Sequence, residues 1–510
     1  MTRFQAVLIG IASTIMALGL AWAQDSIPEL PKNFPVTPQE LEAAKKVYDK
    51  KCAYCHGFEG KGDGPAADYI YPRPRDFTRG LYKIRTTASG QLPTDTDLYK
   101  AIAEGLHGTS TPGWRGELSK KEIQLLIHYL KPFSRRFLLS IQRGKLPEPI
   151  KIGEPIQATK ESIEKGKKLY NEQECWKCHG QEGRGDGPSA PELKDDWEYP
   201  IKPANLTKSW NFRGGGTAKD IYRTFTTGLN GTPMPSYAGT ISDEDNWHLA
   251  NYVNSLSLEG KVRRDATVVK SKFLEGNLPE THDDPLWNEV EPVMFRLVGQ
   301  IVFEPRLFTP SIDSIIVRSL HNSNEVAFLL EWDDRTNSTP DEAAGVYADA
   351  VAIEFPTHVV EGSRPYFVMG DVEKSINLWY WDSGSNSATE VNAQGLNSKS
   401  VQKPESQNVK AGVSYSNGRY RAVIKRALNT EDKDTDIQFE LGRFMPIAFL
   451  AWDGSDGETE GKFSISSWYY FILEKEPAKS IYIYPAVASL VIFGVEALII
   501  REVRKNNNKT

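Results

Sequence analysis

The residues with the clearest chemistry in this 510-residue chain are its four cysteines, which fall as Cys52-Ala-Tyr-Cys55-His56 and Cys175-Trp-Lys-Cys178-His179. Two copies of C-x-x-C-H use every cysteine, so no thiol is left over for a structural disulfide. A thioredoxin-like redox pair has no need of the adjoining histidine, and a structural zinc site draws four ligands from one neighbourhood. Two thiols at this spacing match instead the two vinyl groups of one haem, with the adjacent imidazole beneath the iron. Cys52, Cys55, Cys175 and Cys178 are therefore expected to hold two covalent haem c groups, with His56 and His179 as proximal ligands.

The surroundings of the two motifs repeat. Lys45-Lys-Val-Tyr48 precedes the first as Lys167-Lys-Leu-Tyr170 precedes the second, each in an apolar pattern of helical period. Gly/Asp-rich loops follow, Gly57 to Pro65 and Gly180 to Pro188. Gly105-Leu-His-Gly-Thr109 then answers Gly228-Leu-Asn-Gly-Thr232, and each copy closes on a helix-like segment, 119–133 and 242–256. Helix, C-x-x-C-H, loop and final helix resemble class I cytochrome c over residues 37–135 and 158–258. The resemblance implies an all-α fold, covalent haem and histidine ligation in both copies, and leaves the partner open.

The copies differ in the sixth ligand. Gly231-Thr-Pro-Met234-Pro places a thioether where this family carries its axial methionine, and a thioether raises the potential of the iron. The first copy reads Gly108-Thr-Ser-Thr111-Pro, and no methionine lies between residues 17 and 233. Its haem is then bis-histidine, five-coordinate, or ligated from outside the domain. His107, in the same loop, is the leading candidate, and His128, on the last helix, the second. Arg85 and Arg213 occupy matching places ahead of the ligand loops and are expected to bind haem propionates, since a planar guanidinium meets a carboxylate bidentately.

Beyond the second copy helical periodicity gives way to short alternating runs such as Ser314 to Leu320, Glu325 to Trp332 and Tyr420 to Lys425, separated by Asn, Ser, Gly and Asp. Residues 271–475 read as an all-β antiparallel sandwich. Asp284-Pro-Leu-Trp287, Glu331-Trp-Asp-Asp334, Tyr347-Ala-Asp349, Tyr366-Phe-Val-Met369-Gly370, Asn377-Leu-Trp-Tyr-Trp381, Ala451-Trp-Asp-Gly454 and Gly461-Lys462-Phe-Ser-Ile-Ser-Ser-Trp468 come in one order. Together they resemble the haem-b domain of the ethylbenzene dehydrogenase γ-subunit family. The resemblance implies one noncovalent haem b between Met369 and Lys462, with Lys374 and Lys425 as alternative amines. An amine binds iron only when neutral, while a free lysine has a pKa near ~10.4, so Lys462 is expected to be desolvated by neighbours such as Phe463, Trp468 and Trp379.

The ends set the compartment. Residues 1–23 read as a signal peptide closing on Ala21-Trp-Ala23. Residues 480–500 read as one C-terminal transmembrane helix with a basic flank kept inside. The main domains would then lie on the periplasmic side of the cytoplasmic membrane. The net charge of -6 argues against nucleic acid as a partner. No catalytic constellation is visible. The resemblance to the ethylbenzene dehydrogenase γ-subunit family, which includes subunits of molybdenum enzymes, implies an electron-transfer subunit, not itself an enzyme, working with a molybdopterin catalytic subunit and an iron-sulfur subunit in a complex similar to nitrite oxidoreductase or nitrate reductase. On its other side it would exchange electrons with a soluble cytochrome c, a terminal oxidase or a quinol-linked complex. The alternative is a stand-alone membrane-tethered dihaem cytochrome with a ligand- or carbohydrate-binding sandwich.

Overall fold

The fold is taken from a computed structural model, which describes residues 36–475 together with 489, 493, 495–498, 500 and 501. The expected signal peptide and almost all of the expected C-terminal helix lie outside the described residues. Among those described, no helix is long and apolar enough to cross a membrane. The chain divides into two compact units, Met1–Ser257 and Leu258–Thr510.

In the first unit serine and threonine start every longer described helix, while the two short ones begin after Cys52 and Cys175 without a side-chain cap. Among the unit's described residues the α-helices are α1 Pro38–Lys51, α2 Ala53–His56, α3 Asp95–Glu104, α4 Lys120–Leu130, α5 Arg135–Gln142, α6 Lys160–Glu172, α7 Trp176–His179, α8 Ala218–Thr227 and α9 Asp243–Ser255. Thr37, Thr94, Ser119 and Thr217 each close a capping box with the acid three residues on, satisfying amides that the first turn leaves open. The second repeat buries α6 against α9, and the approach depends on Gly166. A Cβ there would stand 2.1 Å from the His248 carbonyl oxygen. The first repeat has Ala44 at that place in α1, also buried, so its helices meet with one methyl group between them. Each repeat has its own apolar core, around Tyr48, Tyr99 and Leu126 in the first and Tyr170, Tyr222 and Leu249 in the second.

The second unit holds the strands β1 Val268–Phe273, β2 Val293–Arg296, β3 Val298–Gly299, β4 Ser314–His321, β5 Glu325–Asp333, β6 Ala350–Pro356, β7 Ile376–Asp382, β8 Ser387–Ala393, β9 Ser400–Val401, β10 Lys410–Ser416, β11 Arg419–Ala427, β12 Met445–Trp452, β13 Ser464–Ile465 and β14 Tyr469–Leu473. Eleven of them run in the order β10-β11-β5-β4-β1-β14-β12-β6-β7-β8-β9, while β2 pairs with β4 and β13 pairs with β12 and β3. The sheet folds over itself at β12, whose first residues, Met445 to Ile447, pair with β14 and whose later ones, Ala448 to Trp452, pair with β6. Aromatic side chains from the two halves meet in one core, as Phe328 of β5 does with Trp379 of β7 at 5.9 Å between rings.

The expectation of an antiparallel sandwich needs one correction: the sheet is mixed. β1 lies between β14 and β4 and runs parallel to both. Its alternating burial is that of any half-buried strand, so periodicity could place it on a sheet but not fix its direction.

Candidate functional site

Both C-x-x-C-H motifs sit on the short helices that follow the first helix of their repeat, α2 and α7. Matching bonds hold them. Tyr48 Oη donates to the Gly57 carbonyl at 2.7 Å, and Tyr170 Oη to that of Gly180 at 2.6 Å. His56 Nδ1 lies 3.0 Å from the Arg75 carbonyl oxygen, and His179 Nδ1 2.9 Å from that of Ala204. A carbonyl can only accept, so Nδ1 carries the proton and Nε2 keeps its lone pair for a metal. Burial pushes both imidazoles below their ordinary pKa, which also favours the neutral, ligating form. The thiols behave unlike those of a redox-active pair. Burial raises Cys52 and Cys175 to about 11, whereas reactive Cys-x-x-Cys thiols are depressed.

In the first repeat these groups open onto a cleft with about 1270 Å³ of empty space, part of it continuous with solvent. Cys52, Cys55 and His56 form one wall, Leu98, Ile102 and Leu106 supply apolar surface, and Thr111 lines it from the ligand loop. The polar end holds Arg75, Lys83 and Arg213. Burial brings Arg75 down to about 10, and its neighbour Arg213 adds repulsion. Burial, with Arg75 and Arg213, takes Lys83 down to about 7. Three crowded cations beside an apolar slot with two thiols and a free imidazole nitrogen fit a haem whose two propionates meet the cations. The residues present therefore fit a covalent haem.

The ligand loops of the two repeats share their backbone bonds. Leu106 N–H donates to the Thr111 carbonyl as Leu229 N–H does to that of Met234, at 3.1 and 3.2 Å. Thr109 Oγ1 accepts from Thr111 N–H as Thr232 Oγ1 does from Met234 N–H. Thr111 thus stands in the methionine's place, with the loop intact around it. Met234 packs against the cluster that contains Tyr170, with Cys175 and Trp176 at its edge.

His107, the expected sixth ligand of the first haem, is not among the residues lining the cleft, and its side chain is exposed. The reason lies in the repeat. Its counterpart Asn230 faces away from its own core, accepting from Gly90 N–H at 3.0 Å and donating to the Gln91 carbonyl across the interface. His128 is half-buried on α4 and does not line the cleft either.

The two arginines, expected to act alike, have different surroundings. Arg85 is 3% exposed and does not line the cleft. Its Nη2 donates to the Thr227 carbonyl at 2.5 Å and its Nη1 to that of Gly228 at 3.2 Å, both in the second repeat. Its remaining donors meet the carbonyls of Tyr82, Lys83 and Ala88. Arg213, carried by the second repeat, reaches into the first repeat's cleft. Arg75 and Arg79 stack on Trp197, at 4.5 and 4.7 Å from its ring centre, and Trp197 Nε1 donates to Asp76. The repeats are thus joined beside the cleft. Sequence reasoning missed Arg75 and Lys83 because neither has a matching arginine or lysine in the other copy.

In the second unit Met369 is fully buried, in a left-handed backbone conformation with φ 58°, among Val368, Trp452, Phe463 and Ile465. A thioether makes no demand for a hydrogen bond there. Lys462 precedes Phe463 of the same cluster but is itself half-buried, and its Nζ donates to the Asp456 carbonyl at 2.9 Å and the Gly457 carbonyl at 3.4 Å. Met369 carries a soft donor of the kind haem iron takes, but it is packed within this apolar cluster, and Lys462 could reach an iron only once those two bonds are released. Trp468 borders this cluster, whereas Trp379 belongs to the other core, under Arg426. Lys425 pairs with Glu280 at 2.8 Å.

Comparison with known proteins agrees with the two-part reading. The cytochrome c family matches residues 41–133 and 163–257, and the ethylbenzene dehydrogenase family matches residues 284–406. A respiratory nitrate reductase haem subunit of Haloferax mediterranei, itself assigned only provisionally, is 29% identical over 230 residues, 45% of this chain and 81% of that one. The dimethylsulfide dehydrogenase subunit gamma of Rhodovulum sulfidophilum is 24% identical over 224 residues, 41% of this chain and 82% of its own length. Among solved structures, a chain of a reducing HAO-like protein complex of Kuenenia stuttgartiensis is 45% identical, covering 45% of this chain and 100% of that one with a TM-score of 0.41. The chain carries two cytochrome c domains followed by a domain of the ethylbenzene dehydrogenase gamma type.

Proposed function

We propose that this protein is the electron-transfer subunit of a molybdopterin oxidoreductase complex, holding two haem c groups and one haem b, and is not itself catalytic. The observation that carries the reading is the duplicated C-x-x-C-H site, in which each histidine is fixed by a backbone carbonyl with Nε2 free. Haem iron supplies one-electron chemistry, and the protein sets its potential through ligands, charge and burial. Met234 gives the second haem c a thioether, while Thr111 leaves the first without one. The two sites would then differ in potential, as a relay requires. Met369 and Lys462 are the proposed ligands of haem b.

The partners follow from the relatives, which are named as subunits of nitrate reductase and dimethylsulfide dehydrogenase. A molybdopterin subunit and an iron-sulfur subunit would face the haem-b domain, in a complex of the nitrite oxidoreductase kind. A soluble cytochrome c, a terminal oxidase or a quinol-linked complex would meet the cytochrome domains. We place the protein on the periplasmic face of the cytoplasmic membrane, after removal of residues 1–23 and tethered by residues 480–500. Purification of the chain from its native membranes tests the complex. Co-elution with molybdenum and with iron in excess of haem supports it, and a preparation whose iron is all haem contradicts it.

A further inference from the structure

Three aspartates converge at strand ends in the second unit and serve none of the proposed haem contacts. Asp334 follows β5, Asp349 precedes β6 and Asp453 follows β12. They are 4%, 0% and 3% exposed, and one carboxylate oxygen from each lies within 4.8 Å of the other two. Three buried carboxylates at this spacing repel one another and have each lost water.

What faces them is neutral. Asp349 Oδ1 accepts from Gly454 N–H at 2.9 Å, and its Oδ2 from Ser338 N–H at 2.7 Å and Tyr420 Oη at 2.8 Å. Asp453 Oδ2 accepts from Ser311 Oγ at 2.6 Å, and its Oδ1 from Ser455 and Asp456. Asp334 Oδ1 accepts from Thr336, but its Oδ2 is buried with no hydrogen-bond partner. Among the described residues none of the three is ion-paired with a lysine or arginine. A further acid closes the site: Glu458, fully buried, accepts from Asp453 N–H through Oε2, and its Oε1 also has no partner. Lys462 is the cation near Glu458, and its Nζ is held by the 456 and 457 carbonyls.

Three buried carboxylates that share one point, one of them with an orphaned oxygen and none ion-paired, call for a positive charge at their centre. The donors are all oxygens, with no histidine or cysteine among them, which suits a hard cation and not zinc or copper. We propose that Asp334, Asp349 and Asp453 bind one calcium ion, which fastens the ends of β5, β6 and β12 and so locks the two halves of the folded sheet. Water and backbone carbonyls complete the shell that calcium takes. The aspartates come from three separate strings of the sequence, Glu331-Trp-Asp-Asp334, Tyr347-Ala-Asp349 and Ala451-Trp-Asp453-Gly454.

The test uses the purified full-length chain, stripped with a chelator and titrated with calcium chloride by calorimetry and in thermal melts. One calcium per chain is expected, and calcium at about 100 times its dissociation constant should shift the unfolding equilibrium of this unit about a hundredfold. Asp334→Asn should bind no calcium and, relieved of a buried charge, melt higher than the stripped native chain. Should that variant not accumulate, Asp453→Asn serves the same purpose. No heat and no melting shift in the native chain overturns the site, as does a calcium response that survives in both variants. An equal response to magnesium overturns the assignment to calcium.

Discussion

Arg85→Met tests whether Arg85 joins the two repeats instead of meeting a haem propionate. The methionine keeps most of the aliphatic stem and removes every donor. Two charge-assisted bonds across the repeats are lost, to Thr227 at 2.5 Å and Gly228 at 3.2 Å, and at about 1.5–3 kcal/mol each they sum to roughly 3–6 kcal/mol. The lower end is the better figure, because Thr227 Oγ1 still donates to the Gly228 carbonyl at 3.3 Å. A unit of this size loses about 2–4 °C per kcal/mol, so the first unit should melt about 10 °C lower. The damage should fall on the second haem site. Gly228 opens the loop that Leu229 N–H closes on the Met234 carbonyl, so the methionine-to-iron band at the red end of the oxidised spectrum should weaken before the first site is disturbed. The assay is a thermal melt by circular dichroism alongside that band. A melt within about 2 °C of native, an intact band, and a fall in the first haem's potential would return Arg85 to the propionate role and refute the reasoning.

Three further predictions follow from single side chains. Thr111→Met should place a thioether in a loop already folded like that of Met234, adding a second red-end band and raising the first haem's potential; a spectrum unchanged from native would mean the loop does not face the iron. Arg213→Gln removes a cation from the first repeat's cleft, so a spectroelectrochemical titration should show the first haem harder to reduce and the Met234-ligated haem unmoved; the reverse pattern would undo the assignment. Glu354 is fully buried, and desolvation holds its pKa well above the ordinary value against the weaker opposing pull of the Met369 backbone. A folded-state pKa raised above the unfolded one gives stability that is full below the unfolded value and lost as pH rises toward the folded one. Glu354→Gln should therefore be more stable than native by roughly 1–3 kcal/mol at pH 8, with the gap narrowing toward pH 4; a gap constant with pH would exclude titration of Glu354 as the cause.

The patterns legible in the sequence are those that local chemistry dictates. C-x-x-C-H names its cofactor by covalent geometry, the Ser/Thr caps mark where helices start, and alignment of the two repeats is enough to set Thr111 in the place of Met234. Contacts across the repeats cannot be read this way. Arg85 and Arg213 occupy equivalent positions, yet one bonds the other repeat's loop and the other lines its neighbour's cleft, because packing two copies together gives equivalent residues different surroundings. His107 has the residue type of a ligand, and its register on the outward side of the loop, shared with Asn230, is the signal against it. Lys462 has the place of a desolvated amine in its motif, but the carbonyls of the turn at Asp456 and Gly457 capture its Nζ. The buried aspartates stand far apart along the chain, and only the folding of three strand ends onto one point gives them a common purpose.

The most direct test of the account is the haem inventory of the purified chain. Acid-acetone extraction followed by pyridine haemochrome spectra should leave two haem c groups on the protein, bound at Cys52/Cys55 and Cys175/Cys178, and release one haem b into the solvent. Two covalent haems with no extractable haem would contradict the third site at Met369 and Lys462, and fewer than two covalent haems would contradict the relay itself.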